Sequence, residues 1–464
     1  MIGFIVLEFI LNGKGSEKMK RVLGYMAIIA MTLAGFTLSP AYESMVGPTG
    51  VLKYDDQKSY GGYTLFSPMV NCKTTYLIDM EGNMVHEWDT QYRPGAYGML
   101  LPNGHLLRGG VLEGVPCAIG GVGGIVQEID WNGGVVWEYK LMSPTEVQHH
   151  CFARMPNGNT LILAWELKSI DQAIEKGRDP RTIPASVFVG GIRHTGFWVD
   201  FVREVNKKGE TVWEWHAWDH IGKGPNHLDI NYRLPKPLGE CYWNFDWTHF
   251  NTVEYVPETD QILLNSRNFS ETYLVNHKTG SIEWRWGNPS AYGQGKAPSF
   301  YDNGDQQLFG SHNATILQNG NIQIFNNGSE RPEGNRSSVI EVDPKTNKVV
   351  WEYHSRDATS FFTYRQGSAQ RLPNGNVLVT STNHGHIFEV TPGKEIVWDY
   401  VVPIHGGEPV CTIEDGDRPN GISNMIHRAY RYGADYPGLQ DKDLSRKIPL
   451  VEDCPQFYKV FGER

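Results

Sequence analysis

Cysteine is scarce and widely spaced. The six residues, Cys72, Cys117, Cys151, Cys241, Cys411 and Cys454, form no CxxC, no CxxCH and no adjacent pair. That spacing excludes zinc-ribbon, c-type haem and thioredoxin chemistry. A basic surplus is missing too: 42 Lys and Arg face 52 Asp and Glu, for a formal net charge of −10. Nucleic-acid binders carry a basic face, and this chain has none to spare. An anionic small substrate would need a local cationic pocket set against that acidic background.

Long apolar runs are confined to one, Val22–Leu38. It follows Lys18-Met19-Lys20-Arg21 and is followed by Ser39-Pro40-Ala41. A basic segment, an apolar segment and a small-x-small site define a secretory signal peptide over residues 1–41, with Met19 as the natural start. The rival reading is an uncleaved membrane anchor. No stable membrane insertion is expected beyond it, because no other stretch is long enough to span a bilayer. The mature chain, 42–464, is expected to be a single exported domain, periplasmic or secreted. In that compartment one or two structural disulfides are expected, with Cys411–Cys454 the favoured pair.

Gly and Pro, by contrast, are plentiful (51 and 26), and 12% of the 464 residues are aromatic. This composition suits many short strands joined by tight turns. One element, strand–turn–strand ending in a tryptophan, recurs six times, as in IVQEIDWNGGVVWEY (125–139), FVREVNKKGETVWEW (201–215) and VIEVDPKTNKVVWEY (339–353). Trp137, Trp213, Trp284, Trp351 and Trp398 share one position, and His86 holds it in the first copy. Between these lies a hairpin with a PNGN-type turn, its copies starting near Tyr97, His149, His249, His312, Ser368 and Ser423. Six of each predict an all-β, six-bladed β-propeller of four-stranded blades. The first Trp-bearing pair precedes any hairpin and the last hairpin follows the last pair, so the final blade should be closed by both termini. The recurrent tryptophan is expected to pack between blades rather than to stack on a ligand.

Strand order also assigns the loops. The short PNGN turns fall on one face of the propeller. Three long connections, His216–Trp247, Gly287–Gly310 and Val401–Ile422, fall on the other, the expected functional side.

The hairpin Ser311–Arg331 carries the richest chemistry: His312 and Asn313 enter it, and Asn326, Asn327 and Arg331 leave it. Aligned on their turns, His312 matches His150, and His249 falls two residues earlier. With a side-chain period of two, all three should face the central channel near its front end, whereas His149 should face a neighbouring blade. Returning strands bring Arg267, Asn327, His384 and His386 to the same rim. Imidazoles with arginines admit three readings: a zinc or copper site, an oxyanion clamp with a nucleophilic imidazole, or hydrogen-bonded channel lining. Arginine at the mouth and few nearby carboxylates, apart from Asp246, favour the anion and disfavour a metal.

Six Trp-bearing blades, FDWTHFN around His249, GSHNA around His312, FNNGSER ending at Arg331 and HRAYRYGADYPG (427–438) resemble the bacterial arylsulfate sulfotransferases. The resemblance covers nearly the whole mature chain. It implies transfer of a sulfuryl group from an aryl sulfate to a phenol, in a ping-pong reaction through a sulfohistidine, with no cofactor and no nucleotide sulfate donor. It assigns Arg331 to the sulfuryl oxygens and His249 and His312 to oxygen stabilisation or proton shuttling. His384 best matches the nucleophile by order, with His386 and His427 as rivals. Asn313, His150, Arg267, Asn327 and His386 fall in the substrate-binding set. The oligomeric state, monomer or homodimer, stays open. Two other functions compete: a non-catalytic propeller presenting its loop face to a protein or glycan, and a quinoprotein dehydrogenase, which would normally carry the adjacent-cysteine pair this chain lacks.

Overall fold

The computed structural model describes residues 47–117, 119–183, 187–189, 192–222, 227–230, 245–413 and 424–451. The signal-peptide stretch, Cys241 and Cys454 lie outside them. All described residues belong to the second of two units, which spans Ser44–Arg464. Cys72, Cys117 and Cys151 are buried free thiols.

The fold is all-β, with few and short helices among the described residues. Six antiparallel sheets follow one another around an axis. Blade one runs through Pro94–Leu100, Leu106–Val111, Gly124–Ile129 and Val135–Lys140. Blades two to five repeat it, with innermost strands Glu146–Arg154, Phe250–Val256, His312–Ile316 and Ser368–Arg371. The innermost strand of the sixth blade is Ile426–Tyr432, paired with Tyr63–Pro68, then Thr75–Ile78 and Asn83–Trp88. The repeat count divides this blade two and two, but the pairing divides it one and three. Tyr63–Pro68 carries neither turn motif nor tryptophan, so nothing in the repeat marked it. Fifth strands cover two outer edges: Gly50–Tyr54 on blade five and Ile448–Pro449 on blade six.

The turns form where the PNGN signal places them. In Met155–Asn159 the backbone closes twice, Gly158 N–H to Met155 O and Met155 N–H to Asn159 O. Gly158 sits at φ +88°, left-handed space that glycine enters without penalty. Asn157 Oδ1 accepts the Asn159 N–H and braces the turn.

Neighbouring blades are joined by one repeated clasp. Each fourth-strand aromatic reaches the following blade: Trp284 Nε1 donates to Asn347, Trp351 Nε1 to Pro392 O and Trp398 Nε1 to Met80 O. His86 does the same work in tryptophan's place, stacking 3.8 Å from Trp131 and donating from Nε2 to its carbonyl. At three interfaces an arginine of the next innermost strand lies over the indole and pairs with a third-strand glutamate. Arg154 covers Trp137 and meets Glu128 at 2.7 Å; Arg371 covers Trp351 and meets Glu341 at 2.7 Å. Arg431 covers Trp398 and meets Glu389 at 3.3 Å. The tryptophans thus join blades.

Trp398 is fully buried, whereas Trp137 is only partly so. Trp398→Ala is expected to cost about 3–5 kcal/mol of unfolding free energy in urea titration, and Trp137→Ala clearly less. Equal losses would mean that burial does not set the strength of the clasp.

Candidate active site

The innermost strands cannot all start straight at a narrow axis, and at the front end they bulge. Register breaks between Gln148 and Phe152, between Phe250 and Thr252 and between His312 and Ala314. His150 and Asn313 sit within these breaks and His249 immediately ahead of one, with φ of +43°, +43° and +44°. Left-handed backbone costs a non-glycine residue roughly 1–2 kcal/mol, so tertiary packing holds these turns in place. The bulges upset the period-two reading of His149. Instead of facing a neighbouring blade, it folds onto its own, stacked 3.6 Å from Trp165 and 2.8 Å from Asp200.

His150, His249 and His312 line one cavity of about 230 Å³ at the front end of the channel. Arg267, Arg365 and Gln366 complete its polar wall, with Met69, Met425, Gly120 and Gly121 between them. The rings of His150 and His249 stand 4.7 Å apart, nearly perpendicular. His427, on the innermost strand of blade six, lies behind them, 6.1 Å from His150 and 6.3 Å from His312. Sequence reasoning missed Arg365, Gln366 and the two glycines. They sit on connections outside the repeat, and only the glycine-rich AIGGVGG (118–124) signalled close backbone approach. The approach is real: a Cβ on Gly121 would lie 1.9 Å from His150 Cε1.

Each imidazole is held differently. His249 Nδ1 lies 2.5 Å from the Asp246 carboxylate, which fixes the proton on that nitrogen and turns Nε2 the other way. His312 is engaged at both ends. Asn327 donates to the carbonyls of Thr363 and Gln366, so its Oδ1 accepts from His312 Nδ1 at 2.7 Å, while His312 Nε2 accepts the Gln366 N–H at 3.2 Å. His150 Nδ1 is 2.7 Å from His149 Nδ1. His427 finds no hydrogen-bond partner for either ring nitrogen among the described residues.

Burial drives the protonation of these rings. His150, His312 and His427 all titrate well below 6.5, first because they are desolvated. Neighbouring positive charge adds to this: the other imidazoles for His150, Arg267 for His312 and Arg428 for His427. They are neutral near pH 7, the form in which an imidazole is a nucleophile or base. The Arg365 side chain has no hydrogen bond or ion pair among the described residues, so one guanidinium faces the cavity without a counter-ion.

The other expected site residues fall elsewhere. Arg331 sits over Phe309, 3.8 Å from Glu333, and does not line the cavity. His384 ends the short turn Thr382–His384, where its carbonyl accepts from Asn424, and His386 Nε2 is 2.5 Å from Asp399. Neither lines the cavity. Asn313 Oδ1 accepts the Ala369 N–H and ties blade four to blade five. Among the described residues no three His, Cys, Asp or Glu side chains converge as a metal-ligand set.

Fold and cavity define a six-bladed propeller with an imidazole–guanidinium pocket on its loop face. Residues 193–400 match the arylsulfotransferase (ASST) family, and over that span the resemblance read from the sequence holds. The span includes His249, Arg267, His312 and Arg365, whereas His150 and His427 lie outside it. No curated protein matches the chain significantly. Similar solved structures include a protein of unknown function from Bacteroides caccae, with 10% identity, TM-score 0.44, and 73% of this chain and 93% of that one covered. A streptogramin B lyase gives 12%, 0.39, 78% and 86%, and apo AztD from Citrobacter koseri 8%, 0.37, 76% and 98%. At these values the likeness says nothing about function.

The buried neutral histidines imply a pH dependence with a definite sign. Below about 6.5 the unfolded chain binds protons that these rings refuse in the folded state, so stability is full above that pH and lost on acidification. Three such groups together approach ~4 kcal/mol per pH unit. Urea unfolding at pH 7.5 and 5.5 should show the loss, and a variant with all three changed to Gln should lack this part of it. An unchanged slope in that variant would mean the rings are already charged in the native protein.

Proposed function

We propose that this cavity transfers a sulfuryl group from an aryl sulfate to a phenol through a histidine-bound intermediate. The observation that carries the reading is the meeting of three buried imidazoles, of which burial keeps His150 and His312 neutral, with Arg267 and Arg365 in one small cavity, within a fold whose residues 193–400 match the arylsulfotransferases. Sulfuryl transfer passes through a loose in-line transition state with charge on the equatorial oxygens, much as phosphoryl transfer does. Catalysis is then mostly positioning and charge stabilisation.

The two guanidiniums receive the sulfuryl oxygens, a task suited to their forked donors. A cavity imidazole attacks sulfur as the aryl–oxygen bond breaks. His249, its Nδ1 proton held by Asp246, takes up a second proton with the substrate, gives it from Nε2 to the departing phenolic oxygen and later takes one from the incoming phenol. His312 serves as a fixed wall, since both its nitrogens are bound to the scaffold. In this reading Arg267 and Arg365 take the role the resemblance gives to Arg331, and a cavity imidazole takes that of His384. About 230 Å³ suits a sulfuryl group and one aromatic ring, which agrees with a donor other than a nucleotide. The leader-like residues 18–41 support a site of action in the periplasm or outside the cell.

Purified chain should release more than one equivalent of nitrophenol from 4-nitrophenyl sulfate only when phenol is supplied, and should then yield phenyl sulfate. Arg267→Ala and Arg365→Ala should each lower kcat about 10²–10³-fold with little change in melting temperature. Release at full rate without phenol would make the protein a hydrolase. No release with any phenol would overturn the reading altogether.

A further inference from the structure

We propose that His150 is the nucleophile, oriented and electrostatically supported by a buried relay through His149 to Asp200. This rests on the transfer reading above and names a nucleophile, His150, and a positioning residue, His149, that lie outside the matched residues 193–400.

Asp200 lies on Gly196–Val205, the third strand of blade two, and is fully buried. Its Oδ2 accepts from Thr248 Oγ1, and its Oδ1 lies 2.8 Å from His149 Nε2, a short but off-line approach. A carboxylate there places a hydrogen on His149 Nε2 and leaves a lone pair on His149 Nδ1. That lone pair is 2.7 Å from His150 Nδ1, so His150 supplies the hydrogen of that bond. His150 Nε2 then carries a lone pair, makes no hydrogen bond among the described residues and belongs to a ring that lines the cavity. Stacking on Trp165 fixes the plane of His149, and Gly121, at φ +91°, leaves space for the His150 ring that a Cβ would fill. Of the other rings, His312 has both nitrogens engaged and His427 lies behind the cavity wall.

The step balances. His150 Nε2 forms the N–S bond as the S–O bond to the aryl group breaks, and the aryl oxygen leaves with the bonding pair. The positive charge that develops on His150 moves as its Nδ1 proton to His149 Nδ1. His149 becomes an imidazolium paired with Asp200, and His150 is left as a neutral sulfoimidazole. Attack by phenol on sulfur returns the proton by the same path.

Two measurements on the unaltered full-length chain test this. Incubation with 35S-labelled 4-nitrophenyl sulfate, without acceptor, should label one peptide, and the label should sit on His150. NMR of the protein with 15N-histidine should show His150 protonated at Nδ1 and His149 at Nε2. In Asp200→Asn, kcat should fall at least about a hundredfold with KM within twofold, because an amide can hold the wrong tautomer. Gly121→Ala should lose labelling in the same way. Label on His249 or His427, or an Nε2-protonated His150, would overturn the relay while leaving sulfuryl transfer intact. Transfer without any protein-bound label would remove the covalent step itself.

Discussion

One guanidinium holds the centre of this propeller. Arg428, on the innermost strand of blade six, donates to Asn251 O on blade three and to Cys151 Sγ on blade two, and lies 4.3 Å over Tyr97 on blade one. Four of the six innermost strands therefore meet at one side chain that is almost fully buried. A planar group with five donors can make such a junction, and a lysine could not. The charge is felt one residue away, where Arg428 helps keep His427 neutral. The group that ties the axis together thus adds, after burial, to what keeps the ring behind the cavity neutral.

Crowding at that axis also explains how the histidines reach the cavity. Strands that converge must bend at their front ends, and they bend by bulging, with left-handed residues at His150, His249 and Asn313. A bulge re-aims side chains. It turns His150 toward the cavity and His149 back against Trp165, and so joins two adjacent histidines that an unbroken strand would send to opposite faces. Without the bulge there would be no chain from Asp200 to the cavity.

The sequence carried the fold in its repeats because the blade clasp demands an aromatic at one fixed spacing. Even His86, which breaks the pattern, keeps the clasp by stacking on Trp131. The strand Tyr63–Pro68 escaped because it bears neither turn nor clasp. The site was legible in part. His150, His249, His312 and Arg267 were found because they sit at the strand ends of the repeat. Arg365 and Gly121 were not, since they come from connections whose lengths and sequences do not recur. Arg331 and His384 were expected from local context, and neither lines this cavity. Context within a hairpin fixes a residue's height along the axis but does not fix its direction.

An acidic protein with a cationic, uncharged-imidazole pocket has a particular electrostatic character. Empty, the cavity holds guanidinium charge near rings that burial keeps neutral, because a second positive charge there would be repelled. An anion bound there would reverse that balance: its negative charge would offset the arginines and make a proton on a nearby imidazole easier to hold. On the proposed reading, the acid for a leaving phenol would be favoured only with the anion bound, and His150, with its proton on the far side of the ring, would keep its lone pair toward sulfur. Two histidines of the same chemical kind can then play opposite roles a few ångströms apart. On the proposed reading, Asp246 directs the proton of one, and Asp200, acting through His149, would receive the charge of the other.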